Sequence, residues 1–277
     1  LVCKNFDKVV VVYNGANAME LGWVKDYSQI KSVVWCAGTG QSGFNALGSI
    51  LCGDVNPSGR TIDTFVYDLT QTPTANNFGN FNYTNMDELK ASAFGAETIP
   101  AFVDYVEGIY VGYKFYETAA AEGLIDYDKT VVYPFGRGLS YTTFTQTLNS
   151  VTEADGTITV DVTVTNTGSA SGKEVVEVYY NPPYTNGGIE KASANLIGFA
   201  KTSELAPGAS ENVTVTFKAE DMASYDTYGK GCYVLEKGDY VISINADSHT
   251  VLDSKTYTVA SDIVYDASNK RESDVEV

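Results

Sequence analysis

Thr157-Ile158-Thr159-Val160-Asp161-Val162-Thr163-Val164 alternates without a break, and Asn166-Thr167-Gly168 closes it with turn chemistry. A period of two sends successive side chains to opposite faces, so this stretch predicts a strand covered on one side only. Ile158, Val160, Val162 and Val164 should face a core, and Thr157, Thr159, Asp161 and Thr163 should face away. Downstream the same signal recurs in short runs at Lys173–Tyr180, Ser210–Phe217, Tyr233–Leu235 and Tyr240–Ile244. Pro182-Pro183, Pro207-Gly208 and Lys237-Gly238-Asp239 punctuate them. Many short strands between turn residues predict an immunoglobulin-like β-sandwich. Asp266–Val277 is charged and polar, and is expected to fray or to lie over another surface.

Upstream the pattern changes. Lys8–Tyr13 is β-branched and apolar throughout, which reads as a strand covered on both faces. Asn17 is placed to cap a helix over Ala18–Tyr27 carrying Met19, Trp23 and Val24 on its inner stripe. Lys31–Cys36 is a second interior strand, followed by a helix over Ser42–Cys52 with Phe44, Leu47, Ile50 and Leu51 inward. Strand, helix, strand, helix predicts a parallel sheet with right-handed crossovers. Asp68–Pro100 reads as irregular, with a surface loop at Asn76–Tyr83; order is expected to resume with strand-forming residues over Phe102–Tyr116. Cys36 and Cys52 read as buried free thiols.

Gly38-Thr39-Gly40-Gln41-Ser42-Gly43 spells GxGxxG between a strand and a helix. Dinucleotide binding also needs an acid at the end of the next interior strand, to hold the ribose. Asp63 lies at the right distance, but in a short mixed segment after the turn-rich Gly53–Arg60, so close helix–strand packing explains the glycines better. No cofactor is expected.

The chain has 277 residues with 18 Lys and Arg against 35 Asp and Glu, a formal charge of -17. That balance excludes a nucleic-acid binder and adhesion to anionic membranes. No apolar run is long enough to cross a bilayer. A single histidine, His249, argues against a histidine metal cluster and a Ser-His-Asp triad, and the four cysteines show no CxxC spacing. No metal site is expected. Asn82-Tyr83-Thr84 and Asn212-Val213-Thr214 match the glycosylation sequon, a short signal that leaves the compartment open. Leu1 is followed almost at once by an apolar strand with no signal-peptide features, so the chain is expected to start inside a domain of something larger.

Three blocks of the first half resemble the second domain of family-3 glycoside hydrolases, the β-glucosidase-type enzymes. They are Trp35–Arg60 with Gly53-Asp54-Val55-Asn56-Pro57-Ser58-Gly59-Arg60, Tyr105–Tyr116 with Val106-Glu107-Gly108-Ile109-Tyr110, and Tyr133–Phe144 with Pro134-Phe135-Gly136-Arg137-Gly138-Leu139-Ser140-Tyr141. Arg137 stands where an aromatic is common. The later half resembles the family's fibronectin type III-like domain through Val164–Gly168, Gly172–Val176, Leu196–Thr202 and Leu205–Gly208. The resemblance implies a partial α/β sandwich with a mainly parallel sheet over residues 1–141, a fibronectin type III-like β-sandwich over 142–265 and a polar tail over 266–277. It also implies retaining hydrolysis of terminal β-D-glucosyl residues in the whole enzyme, without a cofactor. In that enzyme the nucleophilic Asp lies on a separate (β/α) barrel, and the general acid/base on a loop ahead of the segment matching Lys8–Tyr13. Neither aligns with a residue here, so no catalytic, cofactor-binding or metal residue is assigned. The implied partner is that barrel, with β-glucoside substrate engaged only in the complete enzyme.

Glu107 reads as a structural acid at a glycine bend, Asp54 as an acid fixing a turn, and Arg60 as its partner or packed on a tyrosine. Tyr180 and Tyr184 are candidate sugar-stacking aromatics. Two rival classes remain: a free-standing carbohydrate-binding or adhesion module, and a nucleotide-dependent enzyme built on the glycine-rich turn.

Overall fold

The computed structural model describes residues 1–77, 81–84, 92–93, 96–97 and 102–274. The alternating strand behaves as its sequence requires. It is β6 (Thr157–Asn166), and Ile158, Val160, Val162 and Val164 are fully buried. A two-residue turn joins it to β5 (Phe144–Ala154), and Asp155 and Gly156 both take positive φ, 50° and 74°. That pair of left-handed residues matches the twist of a tight hairpin. β9 (Ser210–Lys218) pairs antiparallel with the other edge of β6, giving the sheet order β9-β6-β5.

The facing sheet has the order β8-β7-β12-β13, all antiparallel, from β7 (Val175–Asn181), β8 (Asn195–Lys201), β12 (Gly238–Asn245) and β13 (Val251–Val259). Between the sheets lies a core that includes Val176, Val178, Met222, Tyr240, Ile242 and Ile244. A three-plus-four antiparallel sandwich is the immunoglobulin-like arrangement. A small sheet of β10 (Ser224–Tyr225), β11 (Tyr233–Leu235) and β14 (Ile263–Tyr265) closes one end. Of the two fates expected of the tail, its described part lies over a surface. The Arg271 guanidinium sits 3.4 Å from the Tyr233 ring centroid while paired with Asp274 at 2.7 Å.

The first half contains the expected parallel pair, β1 (Val9–Tyr13) beside β2 (Ile30–Trp35). After them come α1 (Gly43–Cys52), β3 (Phe65–Val66), α2 (Tyr113–Ala121), α3 (Tyr127–Thr130) and β4 (Val131–Tyr133). β3 and β4 pair antiparallel. Leu21, Val24, Phe65 and Val132 form one small core and Val66, Tyr116 and Val131 another.

Five local expectations are corrected. Over Ala18–Tyr27 there is only a 3-10 turn, Gly22–Asp26. The Trp23 indole donates to the Glu20 carbonyl at 3.1 Å, and the Val24 amide turns back to Leu21 instead. Phe102–Tyr116 is not a strand, because Gly108 and Gly112 take φ of 55° and 60° and α2 starts at Tyr113. β1 is covered on one face only, with Val10 and Val12 47% and 40% exposed; α1 buries no residue and leaves Phe44 and Leu51 in water. Cys36 is half-buried and Cys52 exposed, so neither is a core thiol. The last three share a cause: among the described residues no element covers these faces.

Candidate functional site: the junction of the two halves

The polar chemistry of this chain concentrates where the two halves meet. The turn after α1 delivers Asn56, whose amide bridges three segments. Its Nδ2 donates to Ser171 O at 2.9 Å, while its Oδ1 accepts from Ser140 Oγ at 2.9 Å and Tyr141 N at 2.8 Å. Thr61 fastens the next stretch of the connection. Its backbone trades hydrogen bonds with Gly136 and Arg137, and its hydroxyl donates to Pro134 O at 2.6 Å. Lys201 reaches across from β8 to Ser58 O at 3.0 Å. Asn56→Ala is therefore expected to lower stability by about 2 kcal/mol, from unpaired groups on both sides of the junction. Urea unfolding would measure that loss, and proteolysis of the 134–143 connection should quicken. A variant within about 0.5 kcal/mol of the parent, cut at the parent's rate, would remove Asn56 from this role.

Beneath the connection lies a buried charged cluster. Arg60 pairs with Glu174 ahead of β7, and Glu177 of β7 accepts from the Tyr179 hydroxyl at 2.9 Å. Gly136, at φ 83°, passes directly over Glu177, and a Cβ there would stand 2.3 Å from the carboxylate. The positive φ favours glycine, and any side chain there would also have to displace the Glu177 carboxylate. Burial pushes the Glu177 carboxyl up to about 7; the Tyr179 hydrogen bond and the Arg60 charge oppose that rise and Asp247 adds to it. The same burial lowers the Arg60 guanidinium, against the pull of Glu177 and Asp247.

A second cluster joins α2 to the β12–β13 turn. Glu117 is 7% exposed and accepts from Tyr127 Oη at 2.7 Å and Ser248 Oγ at 2.8 Å on one oxygen, and from His249 Nδ1 at 2.8 Å on the other. A carboxylate oxygen only accepts, so Nδ1 carries the proton and Nε2 is left as the ring's acceptor. The imidazole stacks on the Tyr127 ring with centroids 3.6 Å apart and planes 8° from parallel. Burial, then the Glu117 charge, drives the Tyr127 phenol far above its ordinary value. Beside this cluster runs a groove of about 690 Å³ between α2, α3, β7 and β12.

Several residues singled out in the sequence sit elsewhere than expected. Arg60 pairs with Glu174, not Asp54, and the turn is fastened by Asn56 where Asp54 was expected to act. Glu107 is buried beside the bend at Gly108. Asp63 accepts from Thr64 N at 2.8 Å, and partial burial raises its carboxyl. Tyr180 is a core residue rather than an open platform, whereas Tyr184 is 41% exposed. Asn212 is tied to Asn149 and Thr163. The surface loop read over Asn76–Tyr83 falls partly outside the described residues. Sequence reasoning missed Glu117, Tyr127, Ser248 and His249 as a group. The available signal was an acid inside an alanine-rich helical run, Glu117-Thr118-Ala119-Ala120-Ala121, which is a costly place for a charge unless partners await it. Among the described residues no three His, Cys, Asp or Glu side chains converge as metal ligands, and no helix is long and apolar enough to cross a membrane.

An α/β half followed by an immunoglobulin-like sandwich, locked by a polar junction, is a recognisable pairing. Residues 1–113 match the glycosyl hydrolase family 3 C-terminal domain, and residues 174–248 match the fibronectin type III-like domain. The chain belongs to glycosyl hydrolase family 3. It is 37% identical to β-glucosidase A of Butyrivibrio fibrisolvens over 98% of its own length and 32% of that protein's. Against a β-glucosidase of Ruminococcus albus the figures are 32% identity, 93% and 24%. The solved structure of a β-glucosidase from Paenibacillus barengoltzii superposes with a TM-score of 0.80 at 34% identity, covering 95% of this chain and 27% of that one. The chain thus spans about a third or less of the relatives it matches.

Proposed function

We propose that this chain is the non-catalytic part of a retaining β-glycoside hydrolase of β-glucosidase type, acting on terminal non-reducing β-D-glucosyl residues. The observation that carries the reading is the coverage: nearly all of this chain corresponds to about 32% of a β-glucosidase. The boundaries that fit are an α/β part over 1–141, a fibronectin type III-like part over 142–265 and a tail over 266–277. A retaining glycosidase needs two carboxyl groups about 5–5.5 Å apart, one ionised and one protonated. The carboxyls gathered at the junction, Glu174, Glu177 and Glu117, are engaged with Arg60, Tyr179 and His249 as fastenings. In this reading both catalytic acids come from outside the chain, the nucleophile from a (β/α) barrel. Val10 and Val12 of β1 and Phe44 and Leu51 of α1 supply apolar surface for the rest of the enzyme to cover.

The isolated chain is expected to give no hydrolysis of aryl β-glucosides, and the open reading frame that encodes it to encode a barrel as well. Turnover that persists through stringent removal of host enzymes would defeat the proposal.

A further inference from the structure

We propose that the groove between α2, α3 and the β7–β12 face binds a neutral sugar of hexose size. Its volume of about 690 Å³ lies within the range of small-molecule sites, about 300–1,000 Å³. One wall is the His249 ring, held flat by the Tyr127 stack and by Nδ1 on Glu117, with 44% of its side chain open to solvent. Ala120, Ala121 and Ala194 leave room beside it. A sugar ring offers an apolar C–H face for such a plate and hydroxyls around its edge. Asn181, Ser193, Ser243 and His249 line the groove and are the residues that bring polar groups to those hydroxyls.

The lining also says what the ligand is not. No Lys or Arg lines the groove, so nothing there balances a phosphate or carboxylate, and the chain's charge of -17 repels both. The one carboxylate, Glu117, is fully engaged by three hydrogen bonds, which leaves little to hold a cation. A purely apolar ligand would strand the amides and hydroxyls without water. Asn245 supplies an independent sign. It lines the groove at 3% exposure, and its Oδ1 has no hydrogen-bond partner. Buried acceptors are nearly always paired. A hydroxyl entering the groove, with a small rotation of this amide, would pair it. The site stands apart from the function proposed above, since it belongs to this chain alone and holds or fails whether or not a barrel accompanies it.

Titrating the full chain with D-glucose, followed by calorimetry and ligand-observed NMR, is expected to saturate with a Kd of about 1–10 mM, as suits a small, open site. His249→Ala should weaken binding about tenfold or more by removing the plate. Ala121→Phe, which fills the groove while keeping the Glu117 hydrogen bonds, should abolish it, with unchanged thermal unfolding certifying the fold. D-gluconate should bind more weakly than glucose. Absence of saturation, equal binding by gluconate, or saturation that survives Ala121→Phe would each overturn the site.

Discussion

Asn166→Ala is expected to destabilise the chain by about 4 kcal/mol, near the upper end for a single substitution. Asn166 is fully buried at the end of β6, where the sandwich must turn out of its sheet. Its Oδ1 accepts from Thr142 Oγ1 at 2.7 Å and Gly168 N at 3.1 Å. Its Nδ2 donates to Ala170 O and Leu205 O, both at 2.8 Å. Its backbone meanwhile pairs with Ala209 and Gly208. Truncation leaves four partners without their bond in a site closed to water, and each unmet group costs about 1–3 kcal/mol less whatever relaxation recovers. Asn166→Asp should fare no better, because it sets a carboxylate oxygen against two carbonyls. Asn149→Ala is the matched control. That side chain makes a similar bond, at 2.8 Å to Thr163, but on an exposed strand face, and should cost under about 1 kcal/mol. Urea unfolding of the three variants decides the matter; an Asn166→Ala loss no larger than that of Asn149→Ala would show that the corner holds without this amide.

The contrast between these two asparagines also explains what could be read from the sequence. Alternation is a local property, and Ile158, Val160, Val162 and Val164 announced a one-sided strand that the fold delivers in full. Asn166 was legible only as a turn residue beside Thr167-Gly168, because its four partners lie as far away as Leu205. The junction was less legible still. Asn56 meets Ser171 across 115 positions, and Glu117 meets His249 across 132. No periodicity encodes such pairs. Where local signals misled, a long-range contact or a missing cover was responsible. Glu20 of the expected helix is instead drawn to the Leu69 amide at 2.8 Å. The uniform apolarity of β1 predicted two covered faces, but Val10 and Val12 stay exposed and only one face is covered. The motif blocks carried the family better than the local structure. Gly136 shows why, since its place in Pro134-Phe135-Gly136-Arg137-Gly138 answers a positive φ and lies against Glu177, a residue of the other half.

Glu177 makes the stability of this chain depend on pH in the direction opposite to a salt-bridged acid. Its folded value of about 7 lies above the ordinary 4.5, and burial is the main cause. Below about 4.5 the carboxyl is protonated both folded and unfolded, and nothing is lost. Between the two values the unfolded chain releases the proton and the folded chain keeps it, so stability falls as pH rises, and the loss is complete once pH passes about 7. At 1.36 kcal/mol per unit the fall amounts to about 3 kcal/mol. Glu177→Gln removes the titration while keeping an oxygen for the Tyr179 hydroxyl. The variant should match the parent near pH 4 and exceed it by about 2–3 kcal/mol at pH 8. The other acids of a chain with charge -17 also repel one another more as pH rises, but that background is common to both proteins and cancels in their difference. Urea unfolding at pH 4.5, 6 and 8 therefore isolates the single group. Parallel curves for parent and variant would mean that Arg60, already paired with Glu174, holds Glu177 as an anion throughout.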